Sequence, residues 1–407
     1  MNRIILIGNG FDLSCGLKTS YSHFIDWFWK EKIKYYSENK KIKELNNLIK
    51  LPPEMLSIYS DVVIDSFEEA DSYAAMREIL LARWSQLKSF ELQNKFLEII
   101  SEKNIENWVD IEEEYYLQLK KIIQFNNSTL TNIQNEKIRL ENLKILNSDF
   151  EKIKMELETF LTEKQKSHLF RFDYENIQED FNLKDFTSLG TEEIGKRYFS
   201  DTEEKKEEFQ KLFLRMKNSG GCDTSIYPKN TLFLTFNYTY LIKKIAYDIR
   251  CNRDFLEDWA KSQFDVIHIH GELNKLENPI IFGYGDENDE LHNEIEKRGG
   301  EYLNNVKTIN YLKNNNYKNL LRFIEGDMYQ VFIWGHSCGL SDKTMLKTMF
   351  EHENCVSIKP FYYKDENGKH NYDDIVKNIY RIFSDKALMR EKVVNEKYCK
   401  PLVQCKS

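Results

Sequence analysis

The stretch that decides the fold is Arg3-Ile-Ile-Leu-Ile-Gly8-Asn9-Gly10-Phe11-Asp12-Leu13-Ser14-Cys15-Gly16-Leu17. Its apolar run from Ile4 to Ile7 is typical of a strand that a parallel sheet buries on both faces. Gly8 and Gly10 then allow a tight turn or a close approach of the backbone to a ligand. A strand, a glycine turn and a helix start together often bind phosphate or ribose. The spacing differs from the fingerprint Gly-x-Gly-x-x-Gly, so a plain turn without a ligand stays an open alternative.

Composition and net charge limit the classes of protein to which this chain can belong. The 407 residues carry a net charge of -8, which gives no reason to expect a broad face for nucleic acid. No apolar run of about 18 residues occurs, and no signal-peptide pattern is visible, so we expect no membrane span. The seven cysteines are scattered without a Cys-x-x-Cys pair. We therefore expect reduced thiols in a cytoplasmic protein, with no disulfide frame and no metal site.

Glycine and proline divide the chain into two kinds of sequence. No glycine lies between Gly16 and Gly190, and no proline lies between Pro53 and Pro228. A long region without either residue, rich in Leu, Glu, Lys and Gln, favours helices. We predict a helical insertion over residues 24–225. The segments 1–23 and 226–407 are then expected to form one α/β nucleotide-binding domain.

Strand patterns resume after the insertion, and most of them end in glycine or polar residues. The predicted strands are Thr231–Thr235, Phe264–His270, Pro279–Phe282, Tyr329–Trp334 and Cys355–Ile358. The carboxyl ends of parallel strands meet at one edge, where open α/β sheets bind ligands. The sequence therefore predicts an α/β fold with a Rossmann-like parallel sheet. Gly8, Asn237, His270, Gly283 and Gly335 are expected to converge at its carboxyl edge.

These motifs, taken in order, resemble those of the sirtuin-like NAD-binding fold. The matching positions are Gly8-x-Gly10-x5-Gly16, Thr235-Phe-Asn237, His270-Gly271, Phe282-Gly283 and Gly335-x-Ser337. The resemblance implies that NAD is the ligand or substrate. Only ten residues separate Gly271 from Phe282, and none is cysteine, so the zinc ribbon of the deacetylases is absent. Thr239 stands where the sirtuin motif has Asp, which puts the handling of nicotinamide in doubt.

A closer resemblance is to the AbiH family of bacterial abortive-infection proteins. It is carried by Asn9-Gly-Phe-Asp-Leu13 with Gly16-Leu-x-Thr-x-Tyr21-x-x-Phe24, by Trp108-Val-Asp-Ile-Glu112, and by Phe236-Asn-Tyr-Thr239 before His268-x-His270-Gly271. The resemblance implies phage defence. A phage-derived trigger and a homo-oligomer are expected partners.

Three residues are catalytic candidates, each with a structural alternative. Asn237 can hold a sugar hydroxyl or a water, or it can be a turn residue bonded to its own backbone. His270 can act as a base near neutral pH or hold a ribose hydroxyl, or it can be a satisfied strand-end histidine. Asp12 can meet ribose or the leaving base, or it can cap the following helix. His268 would make a metal pair with His270 only if a third ligand converged.

A further set of residues is expected to bind NAD, chiefly from the resemblance. These residues are Gly8, Asn9, Gly10, Phe11, Tyr21, Thr235, Phe282, Gly283, Gly335 and Ser337. In the insertion, one of Asp110 and Glu112 can reach the active site while the other caps a helix, or both can belong to a solvated helix start packed on Trp108.

The function expected from these observations is hydrolysis of NAD to nicotinamide and ADP-ribose by a triggered antiphage effector. Two alternatives stay open. The protein can be a sensor that binds NAD or ADP-ribose without turnover, or a defence nuclease whose carboxylates lie on the insertion. The overall acidity and the lack of a paired-carboxylate motif count against a nuclease.

Overall fold

A five-stranded, all-parallel sheet forms the centre of a mixed α/β fold. The computed structural model describes residues 1–39, 42–51, 63, 65, 68–83, 91–105, 110–166, 185, 207, 228–251, 263–285 and 292–402. The strands are β1 (Asn2–Ile7), β2 (Asn230–Thr235), β3 (Gln263–His268), β4 (Tyr329–Trp334) and β5 (Cys355–Phe361). They lie in the order β3-β2-β1-β4-β5. The chain thus winds outward from β1 in both directions.

Helices account for much of the remaining described chain. They are α1 (Asn9–Ser14), α2 (Tyr21–Asn39), α3 (Ile42–Leu45), α4 (Tyr73–Arg83), α5 (Lys95–Ile105), α6 (Ile111–Gln124), α7 (Asn132–Lys166), α8 (Leu241–Cys251), α9 (His292–Arg298), α10 (Lys307–Asn310), α11 (Asn316–Gly326), α12 (Lys343–Phe350), α13 (Tyr372–Ile382) and α14 (Lys386–Lys392). Single 3-10 turns lie at Gly300–Leu303, Tyr311–Lys313, Leu340–Asp342 and Glu396–Tyr398. In the ranges described, none of the helices combines the length and the apolar character that a membrane crossing needs.

The chain forms two compact units. One comprises Met1–Lys18, Gln165–Asp289 and Val306–Ser407, and the other comprises Thr19–Lys164 and Glu290–Asn305. The sheet belongs to the first unit, and helices α2 to α6 belong to the second. The expected boundaries at residues 23/24 and 225/226, and the sirtuin-like detail of the sheet, stay predictions.

Both faces of the sheet are covered, which explains the uninterrupted apolar strands. On one face, Ile4 and Leu6 pack with Val331 and with the apolar sides of α11, α12 and α13. On the other face, Ile5 and Ile7 pack with Phe233, with α1 and with α8. In α8 the buried residues recur at helical spacing: Leu241, Ile242, Ile245, Ala246 and Ile249. The fold therefore has a sheet between two helical layers, as the strand pattern predicts.

The second unit packs its helices around aromatic side chains. The Tyr115 ring of α6 lies against Phe150 of α7, with 4.2 Å between ring centroids. Trp29 of α2 is fully buried and donates its indole N–H to the Ser101 hydroxyl of α5 at 2.9 Å. Asp149 of α7 accepts from the backbone N–H of Lys95, the first residue of α5, at 2.9 Å. The described part of this unit thus has its own core.

The predicted strand Pro279–Phe282 is wrong, because the segment is not part of the sheet. Pro279 has no backbone N–H to donate. The backbone N–H of Ile281 donates to the His270 carbonyl at 2.7 Å, outside the ladders of the sheet. Strand β3 also ends at His268, two residues earlier than predicted, so His270 lies in a turn. The other four strands are confirmed, with small changes at their ends.

The loops after β1 and β4 touch backbone to backbone where the strand order reverses. The Gly10 N–H donates to the Gly335 carbonyl at 2.8 Å, and the Gly8 N–H donates to the Trp334 carbonyl at 3.0 Å. A Cβ at Gly335 would overlap the Phe11 backbone nitrogen, and Gly335 has a φ of +65°. These glycines are therefore required by a contact between two loops, in addition to any ligand that they meet.

We predict that Gly335→Ala costs far more stability than Gly368→Ala. Both glycines have a positive φ, which costs an alanine about 1–2 kcal/mol. Only Gly335 also meets backbone atoms, and such overpacking adds about 1–3 kcal/mol. Denaturant unfolding of both variants measures the difference. Equal losses would mean that the loop after β1 can move away, and would refute the rigid contact.

Candidate functional site

A buried carboxyl group, Asp12 in the first turn of α1, joins this helix to the loop after β2. The Asn237 side-chain amide donates to its Oδ1 at 2.8 Å, and the Thr239 hydroxyl donates to its Oδ2 at 2.7 Å. The same amide donates to the Gly8 carbonyl at 3.0 Å. Helix α1 begins directly after β1, so its first turn carries Asp12 to this edge of the sheet. All four residues are buried.

The structure bears on the structural alternatives for Asp12 and Asn237. The N-cap of α1 is Gly8, and no side chain caps this helix, so Asp12 is not a capping residue. The Asn237 amide bonds to residues far along the chain instead of to its own backbone. Within the part of the chain that the structure describes, no partner approaches the Asn237 amide oxygen. This oxygen can therefore accept a hydrogen bond from a ligand.

Burial gives Asp12 a proton affinity suited to acid–base chemistry. Desolvation raises the pKa of the carboxyl group from 3.8 to about 6, although the hydrogen bonds from Thr239 and then Asn237 lower it. Both of these donors are neutral, so neither compensates a full negative charge. Asp12 can consequently exchange a proton close to neutral pH.

His270 lies after β3 in a second group of polar side chains. Its Nε2 is 3.1 Å from the Tyr311 hydroxyl and 3.1 Å from Asp342 Oδ1. Burial and the nearby Lys307 ammonium lower the pKa of His270 from 6.5 to about 4. The expectation of titration near neutral pH is therefore wrong, because the imidazole stays neutral there. A neutral imidazole can still accept a proton or a hydrogen bond.

Phe236 connects the two groups of polar residues. It directly precedes Asn237, and its ring lies 4.9 Å from the His270 ring and 4.3 Å from the His336 ring. The loops after β2, β3 and β4 thus pack on one aromatic side chain. Asp12, Asn237 and His270 each follow the end of a strand of the parallel sheet, so all three lie at its carboxyl edge.

His268 supports Asn237 instead of pairing with His270. Its Nδ1 is 3.2 Å from the Asn237 carbonyl oxygen. Its Nε2 is buried and has no hydrogen-bond partner among the described residues, and burial lowers the pKa of the ring to about 4. His268 and His270 contact different partners, so the two imidazole rings are not directed at a common ligand position.

The model of the bacteriophage abortive infection AbiH family matches residues 4–364. This chain belongs to the AbiH family. The match spans both units, and it includes every residue that was predicted for the site. A search of curated proteins finds no match to this chain. Family membership associates the protein with abortive infection by bacteriophage.

The other residues of this AbiH-family protein that were predicted to bind NAD differ in burial and in the unit to which they belong. Phe11 is a core residue whose ring stacks on Trp334 at 5.8 Å, so its side chain is not available to a ligand. Thr235 is buried, and its hydroxyl accepts the Asn237 N–H at 3.1 Å.

The other predicted ligand residues differ in exposure. Asn9 and Ser337 are exposed, and Gly10 and Gly335 are half-buried, whereas Phe282 and Gly283 are buried. Tyr21 begins α2 in the other unit.

In the second unit, Asp110 is a helix cap. Its Oδ1 accepts the backbone N–H groups of Glu112 and Glu113, both at 3.0 Å, at the start of α6. Glu112 is buried in the same turn. Trp108 lies outside the described residues. Of the alternatives for this motif, the structure confirms capping by Asp110.

Sequence reasoning missed Asp342, Lys307 and Tyr311. They follow no strand directly, and single charged or aromatic residues of this kind are common on protein surfaces. The Lys307 Nζ lies 2.9 Å from Asp342 Oδ1, although both residues are buried. His336 is the middle residue of the motif Gly335-x-Ser337, but nothing in the sequence marked it as a partner of His270. Only the fold brings these residues together.

We predict that Asp12→Asn stabilises the protein at neutral pH. The folded carboxyl keeps its proton to a higher pH than the unfolded one, so its contribution to stability falls as pH rises from 3.8 to about 6. The loss amounts to roughly 3 kcal/mol above that range. An asparagine at this position carries no charge, and the Thr239 hydroxyl can turn to accept from its amide.

Thermal melts over this pH range measure the difference. The melting temperature of Asp12→Asn should exceed that of the wild type by several degrees at neutral pH, and the gap should close near pH 4. Asp374→Asn, at an exposed carboxylate, is the control and should leave the melts unchanged. A gap that is equal at both pH values would mean that Asp12 is not a raised-pKa group.

Proposed function

We propose that this protein is an abortive-infection effector that hydrolyses NAD to nicotinamide and ADP-ribose when infection triggers it. The hydrogen-bonded group of Asp12, Asn237 and Thr239 carries the proposal. It lies where open α/β sheets bind ligands, beyond the carboxyl ends of the strands. The surrounding motifs resemble those of sirtuin-like NAD-binding proteins, and this resemblance supplies the ligand class.

Hydrolysis of NAD requires little covalent chemistry from the protein. The bond between ribose and nicotinamide breaks with its electron pair on the pyridinium nitrogen, which leaves as neutral nicotinamide. A water oxygen bonds to the ribose carbon, and the water gives up one proton. The Asn237 amide oxygen can position that water, and the Asp12 carboxylate can take its proton or stabilise the positive charge on the sugar. His270 can hold a ribose hydroxyl.

The contact between Thr239 and Asp12 bears on the main departure from the sirtuin motif. That motif has Asp where this chain has Thr239. Here the Thr239 hydroxyl donates to Asp12, so a carboxyl group from the first turn of α1 lies beside this position. This arrangement supports chemistry at the site in spite of the substitution.

The sensor alternative has one observation in its favour. Asp12 and Asn237 bond to each other, so a ligand must replace or extend an existing hydrogen bond. A site that only binds NAD or ADP-ribose could use the pair as a fixed recognition group. The nuclease alternative gains no such support, since Asp110 is engaged as a helix cap.

An enzyme that depletes NAD must be inactive before infection. We therefore propose a phage-derived trigger, with rearrangement of a homo-oligomer as the physical means of activation.

We predict that Asn237→Ala and His270→Ala each lower NAD hydrolysis by about 10²–10⁴-fold without unfolding the protein. Both residues lie at strand ends and not in strand centres, so truncation should cost about 1–2 kcal/mol or less and leave the protein folded. The measurement is nicotinamide release by purified protein, alone and with phage lysate, beside phage-plating assays. Matched controls are Asn354→Ala and His352→Ala, which lie in the loop before β5 at the opposite edge of the sheet.

The outcomes separate the candidate functions. Folded Asn237→Ala and His270→Ala proteins that still protect cells would contradict the proposal. Triggered wild-type protein that leaves NAD intact but binds it by calorimetry would identify a sensor. Degradation of DNA or RNA by the same preparation would identify a nuclease.

We predict that kcat/KM for NAD rises with pH up to about pH 6 and then levels off. If Asp12 takes the proton, only its ionised form is active, and burial raises its pKa to about 6. Below that pH the rate should fall about tenfold per pH unit. Asp12→Asn should lose most activity and the inflection with it. A wild-type profile that is flat from about pH 5 to 8 would exclude Asp12 as the base.

A further inference from the structure

The carboxylate of Asp342 gathers three nitrogen-bearing side chains, and we name these four residues the Asp342 cluster. Lys307 Nζ lies 2.9 Å and His270 Nε2 3.1 Å from its Oδ1. His336 Nε2 lies 3.6 Å from its Oδ2. The four residues come from the turn after β3, from α10, and from the loop and 3-10 turn after β4. All of them are buried.

Asp342 is ionised, so each polar neighbour must present a hydrogen-bond donor to its carboxylate. Burial alone would raise the pKa of Asp342, but the Lys307 ammonium and then His270 hold it well below 3.8. An ionised carboxylate only accepts hydrogen bonds. The His270 atom that approaches it to 3.1 Å must therefore be an N–H, because a ring lone pair would face a negative oxygen. The Tyr311 hydroxyl can rotate to suit this arrangement.

His336 is fixed in the same way from its other side. The backbone N–H of Cys338 donates to His336 Nδ1 at 2.9 Å, so this nitrogen carries the ring lone pair. The proton of a neutral His336 is then on Nε2, which faces Asp342. Both imidazoles thus place Nε2 near the same carboxylate, His270 at 3.1 Å and His336 at 3.6 Å.

We infer that Asp342 is a positioning residue for His270. Its carboxylate keeps the imidazole proton on Nε2 and leaves Nδ1 as the acceptor for a ribose hydroxyl of NAD. Within the described part of the chain, Nδ1 has no hydrogen-bond partner. The identity of the ribose ligand rests on the proposed function, whereas the tautomer does not.

Lys307 has a separate role, which is to keep Asp342 ionised. A buried carboxylate without a cation takes up a proton, because burial disfavours its charge. A protonated Asp342 could donate to Nε2 and drive the imidazole proton to Nδ1. The Lys307 ammonium prevents this reversal by keeping Asp342 an acceptor.

The test is the tautomer of His270, read from the nitrogen chemical shifts of the full-length protein by NMR. Wild type should carry the proton on Nε2. Asp342→Asn should keep it there, because Lys307 orients the amide oxygen toward itself and His270. The double variant Lys307→Met with Asp342→Leu removes acceptor and cation together, which avoids an unpaired buried charge. The Tyr311 hydroxyl can then donate to Nε2, and the proton should move to Nδ1.

Turnover gives the second readout. The double variant should lower kcat for NAD hydrolysis by about 10²–10⁴-fold with KM changed only a few-fold, whereas Asp342→Asn should retain much more activity. Lys392→Met is the matched control, since Lys392 is also buried but bonds to the carbonyls of Phe350 and His352. It should alter neither tautomer nor turnover.

A wild-type proton on Nδ1, or a proton that stays on Nε2 in the folded double variant, would overturn the inference. If wild type shows the expected tautomers and the double variant moves the proton, the inference holds even where no NAD is cleaved. In that case the proposed function fails instead. If NAD is cleaved and the double variant turns over normally, Asp342 has no positioning role in the reaction.

Discussion

The backbone contact between the loops after β1 and β4 is the constraint on which the carboxyl edge depends. Parallel sheets of this order open a crevice where the strand order reverses, and ligands commonly enter it. Here Gly8 and Gly10 meet Gly335 and His336 closely, so the crevice is partly occupied by main chain. That contact sets where α1 starts. It therefore also sets where Asp12 meets Asn237.

Two buried aspartates at this edge have opposite proton affinities, and the reason is the charge of their partners. Asp12 receives hydrogen bonds from an amide and a hydroxyl, and burial raises its pKa to about 6. Asp342 is also buried, yet the Lys307 ammonium holds its pKa well below 3.8. One carboxyl can exchange a proton near neutral pH, and the other is a permanent acceptor. This division of roles suits a site that must move a proton and also hold an imidazole in one tautomer.

The sequence predicted more of the sheet than of the site. Four of the five later strands were found because buried parallel strands carry continuous apolar runs that end at glycine or polar residues. Pro279–Phe282 has such a run but does not join the sheet, since strand pairing also needs a neighbour in register. Asp12 and Asn237 could be proposed because both follow strands. Asp342 and Lys307 could not, because no local pattern marks a charge whose partner lies 35 residues away.

The sequence by itself determined the α/β class, the core of the sheet and its glycine turns, because local periodicity and backbone freedom depend on the residues in each segment. The order of the strands and the state of each ionisable group were decided only by the tertiary structure. Burial, and the charge of residues distant in sequence, fix whether a carboxyl is ionised or an imidazole is neutral. For that reason the same residue type, aspartate, has one role at position 12 and another at position 342.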